Sequence, residues 1–402
     1  MAYLKNSTIN LLNVHYGLHA LALNAGGAFF VVFLLRAGVP TPIVFAAIAF
    51  ALLVRFVVRP VVLVLGPRWG MRPLVIFGTI FTALQFPIIA EVHGVDLMLL
   101  AFCVVSAVGE IFYWTAYHAY IASLGDLEHR GHQISAREGI AAIAGIIGPV
   151  AGGWALMSFG PRTAFGVVAI VQVLAALPLF GTPDVAVEAK VSGVFRTAWA
   201  GIMLFAADGW MASGLYFIWQ VALFLSLGES FTNFGGALAL AALVGAVGGL
   251  ILGKHIDAGH GGRAVWLTFG AVVAMTLLRS FSTGSPALAV IANALGSLVG
   301  CLYVPTLMTA VYNQAKRSPC PLRFHVATEG GWDVGGSAGC LAAAGLLSLG
   351  VPISAAILIS LPGTFLFLVV LRGYYANLES ETEQSEIAIE KAPIMEAFGS
   401  EV

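Results

Sequence analysis

The stretch 106–148, SAVGEIFYWTAYHAYIASLGDLEHRGHQISAREGIAAIAGIIG, recurs in outline at 297–339, SLVGCLYVPTLMTAVYNQAKRSPCPLRFHVATEGGWDVGGSAG. Ser106 to Gly109 matches Ser297 to Gly300, Glu138-Gly139 matches Glu329-Gly330, and Gly145 and Gly148 match Gly336 and Gly339, all at one offset of 191 residues. A constant offset argues for duplication of a helical unit, and duplication inside an apolar chain is the mark of a transporter built from repeats. Glu110 corresponds to Cys301, so the two copies have diverged at positions that carry chemistry.

The chain has 402 residues, of which 59% are hydrophobic and 10% charged, too little polar surface to enclose a water-soluble globule. Its solvent is lipid. Runs of about 20 apolar residues, the length needed to cross roughly 30 Å of hydrocarbon, recur between Gly, Pro and charge clusters. They predict twelve spans, among them 136–158, 163–180, 198–227 and 328–349. With the N-terminus in the cytoplasm, only Arg36, Arg162 and Arg279 of the 19 Lys and Arg fall on the far side, a strong positive-inside bias. The reading is an all-α membrane protein with twelve transmembrane helices in two pseudo-symmetric six-helix bundles, both termini cytoplasmic. The bundles are residues 1–180 and 197–372, joined by a cytoplasmic linker at 181–196. Residues 373–402, rich in Glu and poor in aromatics, read as an acidic, disordered cytoplasmic tail. The first apolar run is too long for a cleavable signal and reads as a permanent helix. Four cysteines without CxxC or zinc spacing give no metal site, and no cofactor is expected.

Six plus six helices around a central linker resemble the major facilitator superfamily. Two motifs sharpen the resemblance. Gly249-Leu-Ile-Leu-Gly253-Lys-His-Ile-Asp257-Ala-Gly259 with Arg263 resembles that family's loop signature. The matching first-half loop, Gly66-Pro-Arg68-Trp-Gly70-Met-Arg72-Pro, keeps the glycines and arginines and lacks the aspartate. Gly148-Pro149-Val-Ala-Gly152-Gly153 resembles the GPxxGG element of proton-linked antiporters, with close helix packing as the alternative reading. The resemblance implies that the first and fourth helices of each half line a central cavity and that the second and eleventh are neighbours across the halves. It also implies a bacterial inner-membrane carrier that works as a monomer.

Charges within a membrane are costly and are functional candidates by default. Arg55 and Arg59 are i,i+4 on the second span, and Glu329 and Asp333 are i,i+4 on the eleventh. At about 1.5 Å per residue from the cytoplasmic ends, the arginines lie at roughly 9 Å (Arg59) and 15 Å (Arg55), the acids at roughly 6 Å (Glu329) and 12 Å (Asp333). These depths predict a gate pairing Arg59 with Glu329 and Arg55 with Asp333; the alternative is an arginine that binds an anionic substrate. Glu138 and Asp257 join the gate candidates, with Ser135-x-x-Glu138 as a capping box the competing account of Glu138.

Glu110 and Asp208 lie midway through their spans without a cationic neighbour in sequence, which suits proton carriers or, alternatively, permanently neutral acids. His118 and His19 are candidate proton relays, against the commoner role of packed histidine. Asn24, Tyr113, Trp114, Tyr117, Trp210, Tyr216, Gln220, Asn293, Tyr303 and Trp332 are candidates for a cavity that holds an amphiphilic or aromatic ligand. Interface anchoring is the alternative for the aromatic residues.

The sequence therefore favours a secondary transporter that moves a small organic molecule, coupled to protons and exporting, with lipid and protons as its other partners. A proton-linked importer of a nutrient, organic anion or metal chelate is the second reading. An enzyme is disfavoured because no nucleophile–base pair, metal cluster or phosphate loop is found. A receptor lacks an output domain, an ATP-driven pump lacks its P-loop, and nothing suggests nucleic acid.

Overall fold

In lipid every backbone N–H and C=O must find its partner within the chain, and helices do so segment by segment. The computed structural model describes residues 6–124, 130–186, 194–256 and 261–391, and among these it contains helices and no strand. The helices are α1 Ser7–Ala25, α2 Phe30–Arg36, α3 Thr41–Trp69, α4 Met71–Ala90, α5 Leu97–Leu124, α6 Arg130–Leu174 and α7 Val194–Ala212. They continue as α8 Trp219–Ser226, α9 Phe231–Ile256, α10 Gly261–Ser282, α11 Pro286–Arg317, α12 Pro321–Ser348, α13 Ile353–Ala356 and α14 Ser360–Lys391.

Local sequence sets the boundaries. The Asn6 side chain caps α1 by accepting from the Ile9 N–H at 3.1 Å. Pro286 opens α11 and Pro321 opens α12, where a missing N–H costs nothing. Asp96 starts α5, its carboxylate accepting from the His93 N–H at 2.9 Å and the Leu99 N–H at 2.8 Å. The His93 hydrogen bond, then that of Leu99, holds this carboxyl below the usual aspartate range. Its stabilisation is therefore present above the ordinary aspartate value and is lost as the pH falls through the lower folded one. Asp96→Ala is expected to cost about 1 kcal/mol, read by thermal unfolding at neutral pH, with the difference from wild type shrinking in acid.

Among the described residues, ten segments are long and apolar enough to cross a membrane. Two differences from the expected twelve have visible causes. The fifth and sixth expected spans form one run, 136–181, which breaks at Gly160 (φ 76°), followed by Pro161. The eleventh is a 28-residue helix, α12, whose Glu329, Asp333, glycines and serine keep it out of the apolar set. The expected span 198–227 is α7 and α8 joined by a π-helical turn at Ser213–Ile218. The helix α14 extends past residue 373, where the acidic tail was placed, as far as Lys391. Between Gly373 and Pro393 the chain has no glycine or proline, and propagating an existing helix through Ala, Leu, Glu and Lys is cheap.

In the first half α1 and α4 pack on α6, and α4 on α5; in the second, α7 packs on α12 and α14, and α10 on α11. The halves meet along two related seams, α3 with α12 and α6 with α9. Glycines permit the second seam: a Cβ on Gly153 of α6 would strike the Phe231 carbonyl, and one on Gly235 of α9 would strike the Pro149 carbonyl. At the end of the bundle remote from residues 182–185, rings from both halves meet. There Phe29 lies 6.1 Å from Phe231 and 5.7 Å from Phe234, and Arg36 pairs with Glu229 at 3.5 Å.

Residues 182–185 are tied to the first half. Asp184 accepts from the Arg72 N–H at 3.0 Å, Arg72 Nη1 donates to the Thr182 carbonyl at 2.9 Å, and the Met71 N–H donates to the Val185 carbonyl at 3.0 Å. An acid from position 184 thus stands at the start of the helix that follows the loop 66–73, a loop with no acid of its own. Asp184→Ala is expected to speed amide hydrogen exchange at Arg72 by at least about tenfold and leave distant amides unchanged, since it releases a capped helix start.

Candidate functional site

One helical turn separates Arg55 from Arg59 on α3, and one turn separates Glu329 from Asp333 on α12, so packing α3 against α12 sets two pairs face to face. Asp333 is fully buried and lies between both guanidiniums: Oδ1 is 3.1 Å from Arg55 Nε, and Oδ2 accepts from Arg59 Nη2 at 2.5 Å and Nε at 3.1 Å. Arg59, also buried, donates through Nη1 to Glu329 Oε2 and to Thr115 Oγ1 at 3.4 Å. Arg55 Nη1 donates to Glu110 Oε2 on α5 at 2.6 Å, and its guanidinium lies 5.5 Å from the centre of the Trp332 ring.

The structure therefore brings together all four residues of the expected ladder and adds Glu110, for which the sequence offered no cation. The correction has a simple cause, since Arg55 is 55 positions away and reaches Glu110 only through packing of α3 on α5. Two guanidiniums stand against three carboxylates. With every group ionised the cluster keeps one uncompensated negative charge, which low-dielectric surroundings make expensive unless a proton or another cation joins it.

Asp208 on α7 sits apart, accepting from Tyr303 Oη of α11 and from Trp332 Nε1 at 3.0 Å. Trp332 thus touches both acidic centres, one through its ring face and one through its N–H.

A cavity of about 250 Å³ opens beside Arg55 and Glu110, on the side away from Glu329. Tyr216, Gln220 and Trp332, three of the residues named for a cavity from the sequence, line it. Phe30, Phe102, Ser106 and Phe217, which the sequence did not single out for the cavity, line it too. The π-helical turn carries Tyr216 and Phe217 into this wall. Such turns are frequent at functional sites.

Several expected site residues lie elsewhere. Tyr113 and Tyr117 are fully buried in the core between α1 and α5 rather than on the cavity, because His15 and His19 of α1 stack there. His19 Nδ1 accepts from Gln172 Nε2 at 2.8 Å, its ring 3.7 Å from that of Tyr113, in a packed environment. Trp114 and His118 stack on each other along α5, their ring centres 5.5 Å apart, outside the cavity lining.

Trp210 donates to the Ile359 carbonyl at 2.7 Å, and Asn24 Nδ2 to the Ala20 carbonyl at 2.8 Å. Asn293 accepts from Trp219 Nε1 at 3.0 Å and donates to the Ala237 carbonyl at 3.0 Å. All three spend their polar groups on fixing helices. Tyr303 belongs to the Asp208 cage. Glu138 is exposed and pairs with neighbouring Arg137 at 2.5 Å, inside α6 rather than at its start, so neither the gate nor the capping box describes it. Asp257 lies outside the described residues.

A family model described as Major Facilitator Superfamily matches residues 20–319. No curated protein sequence matches the chain. Among solved structures it is similar to the human organic anion transporter MFSD10 (TETRAN), with 15% identity and a TM-score of 0.65 over 91% of this chain and 98% of that one. At that identity the likeness is one of fold.

Proposed function

This chain belongs to the Major Facilitator Superfamily, and from that premise we propose that it is a proton-coupled secondary transporter exchanging a small organic molecule for protons by alternating access. It is a multi-pass integral membrane protein of a transporter family. The finer reading counts twelve spans, taking the run broken at Gly160 as two and adding α12, with both termini in the cytoplasm of a bacterial inner membrane.

One observation carries the proton coupling: a cluster with one carboxylate too many, whose most exposed member, Glu110, stands on the cavity wall. A group that either a proton or a substrate can satisfy, but not both, gives exchange, and an inward proton gradient then drives export. Asp208, held by two neutral donors, is the less apt carrier. The α3–α12 ion pairs would hold the halves together midway and rearrange as they rock.

The second reading, proton-linked uptake of an organic anion, has Arg55 on the cavity wall in its favour, together with the name of the MFSD10 neighbour. Proteoliposomes with an acidic lumen separate these. A panel of small aromatic amines, acids and neutral compounds is offered outside. Exchange predicts that at least one compound accumulates and that nigericin abolishes the accumulation. Accumulation only when the outside is acidic would favour the second reading, and none under either gradient would count against proton coupling.

A further inference from the structure

Which molecules could compete with a proton at Glu110 follows from the charges and surfaces around it. Glu110 is the part of the cluster presented to the cavity, its side chain 30% exposed against 15% for Arg55 and 3% for Arg59. The two arginines are already spent: Arg55 lies between Glu110 and Asp333, and Arg59 holds Glu329, Asp333 and Thr115. An anion entering the cavity would meet carboxylates whose counter-ions are engaged, and a cation would meet the unbalanced charge.

The groups facing Glu110 are Arg55 and Arg59 from α3, Glu329 and Asp333 from α12, and Tyr216 from the π-helical turn. His118 and His325 stand within electrostatic reach of Glu329, and Asp208 lies behind Trp332. With both histidines neutral and Asp208 protonated, the balance is one negative charge.

The walls agree with the charge. Phe30, Phe102, Tyr216, Phe217 and Trp332 present aromatic surface, and ring faces attract cations; Trp332 already has a guanidinium 5.5 Å from its centre. At about 250 Å³ the cavity is smaller than the roughly 300–1,000 Å³ of pockets for drug-sized ligands, so its occupant is about one ring with a charged head. Resting on the exchange reading above, we propose that the substrate is a small aromatic monocation, an aryl ammonium, held by Glu110 as counter-ion and by the rings of Tyr216, Phe217 and Trp332.

Binding is measured by titration calorimetry on the purified full-length protein in detergent. The probes are phenyltrimethylammonium, benzoate and acetophenone, which share one ring and differ in charge. Phenyltrimethylammonium is expected to bind at least about tenfold more tightly than the other two, weakening about tenfold per pH unit on the acid side and releasing up to one proton per ligand, as linkage requires. Glu110→Gln is expected to lose at least about tenfold in affinity and all pH dependence, with thermal unfolding showing that it remains folded. Tyr216→Leu is expected to weaken the cation several-fold and Tyr216→Phe to restore it, a contrast that does not depend on the Glu110 variant.

Tighter binding of benzoate, with protons taken up, would overturn the cation proposal and leave proton coupling standing. Cation binding without pH dependence or proton release would overturn the exchange reading and leave the substrate class. No binding of phenyltrimethylammonium to wild type at millimolar concentration would overturn the proposal.

Discussion

Arg59→Met is expected to destabilise the protein by about 3–5 kcal/mol, the cost of breaking a buried ion pair and stranding its partners. Arg59 is 3% exposed and serves two carboxylates, Asp333 at 2.5 Å and Glu329. Asp333 would retain Arg55 at 3.1 Å, whereas Glu329 would lose the guanidinium that neutralises it. The penalty is therefore concentrated on Glu329, and Arg59→Met combined with Glu329→Gln is expected to recover more than half of it, because it returns the cluster from two excess negative charges to the wild-type one. Arg59→Lys should fall between, since one ammonium cannot span the positions taken by Nε, Nη1 and Nη2. Thermal unfolding in one detergent ranks the set. A single variant that melts with wild type, or a double variant no better than the single, would show that the cluster does not act as one structural unit.

Glu110→Gln is expected to lower gradient-driven accumulation in proteoliposomes at least about tenfold and to flatten the pH dependence of whatever exchange remains. The substitution brings the cluster to two guanidiniums against two carboxylates, so folding should survive while the exchangeable proton is lost. Asp208→Asn is the paired control. Its carboxyl is caged by Tyr303 and Trp332, so that variant should disturb Trp332 and retain coupling. Full coupling in Glu110→Gln with loss in Asp208→Asn would reverse the assignment of the two acids.

The pairing of α3 with α12 is legible along the chain because two facts coincide there. Arg55 and Arg59 share a helical face, as do Glu329 and Asp333, and counting residues from the helix ends puts the pairs at matching depths. Glu110 as a third acid and the double use of Asp333 are not legible in this way, since they depend on α5 standing against α3. The aromatic candidates divide for a related reason. Tyr113 and Tyr216 are alike in sequence, each a tyrosine midway along an apolar helix, yet one packs on His15 and His19 and the other lines the cavity. A π-helical turn rotates Tyr216 and Phe217 relative to α7, and apolar sequence carries no signal for that extra residue per turn.

Asp184 shows how far apart in the chain two partners can lie. The loop at 66–73 has no carboxylate when its residues are taken alone, and one from 112 positions away accepts from the Arg72 N–H at the start of the next helix. Its position beside Thr182-Pro183 at the head of the linker is visible in the sequence, and its partner is not.

By itself, the sequence determined the lipid setting, the duplicated helical halves and the faces that carry charge, because hydropathy, repeat offset and helical period are properties of neighbours along one chain. Only the tertiary structure decided which acid stands on the cavity, which tyrosines are core and which acid meets the Arg72 N–H. Those depend on how each helix is rotated about its axis and what is packed opposite it, contacts between residues far apart in the chain.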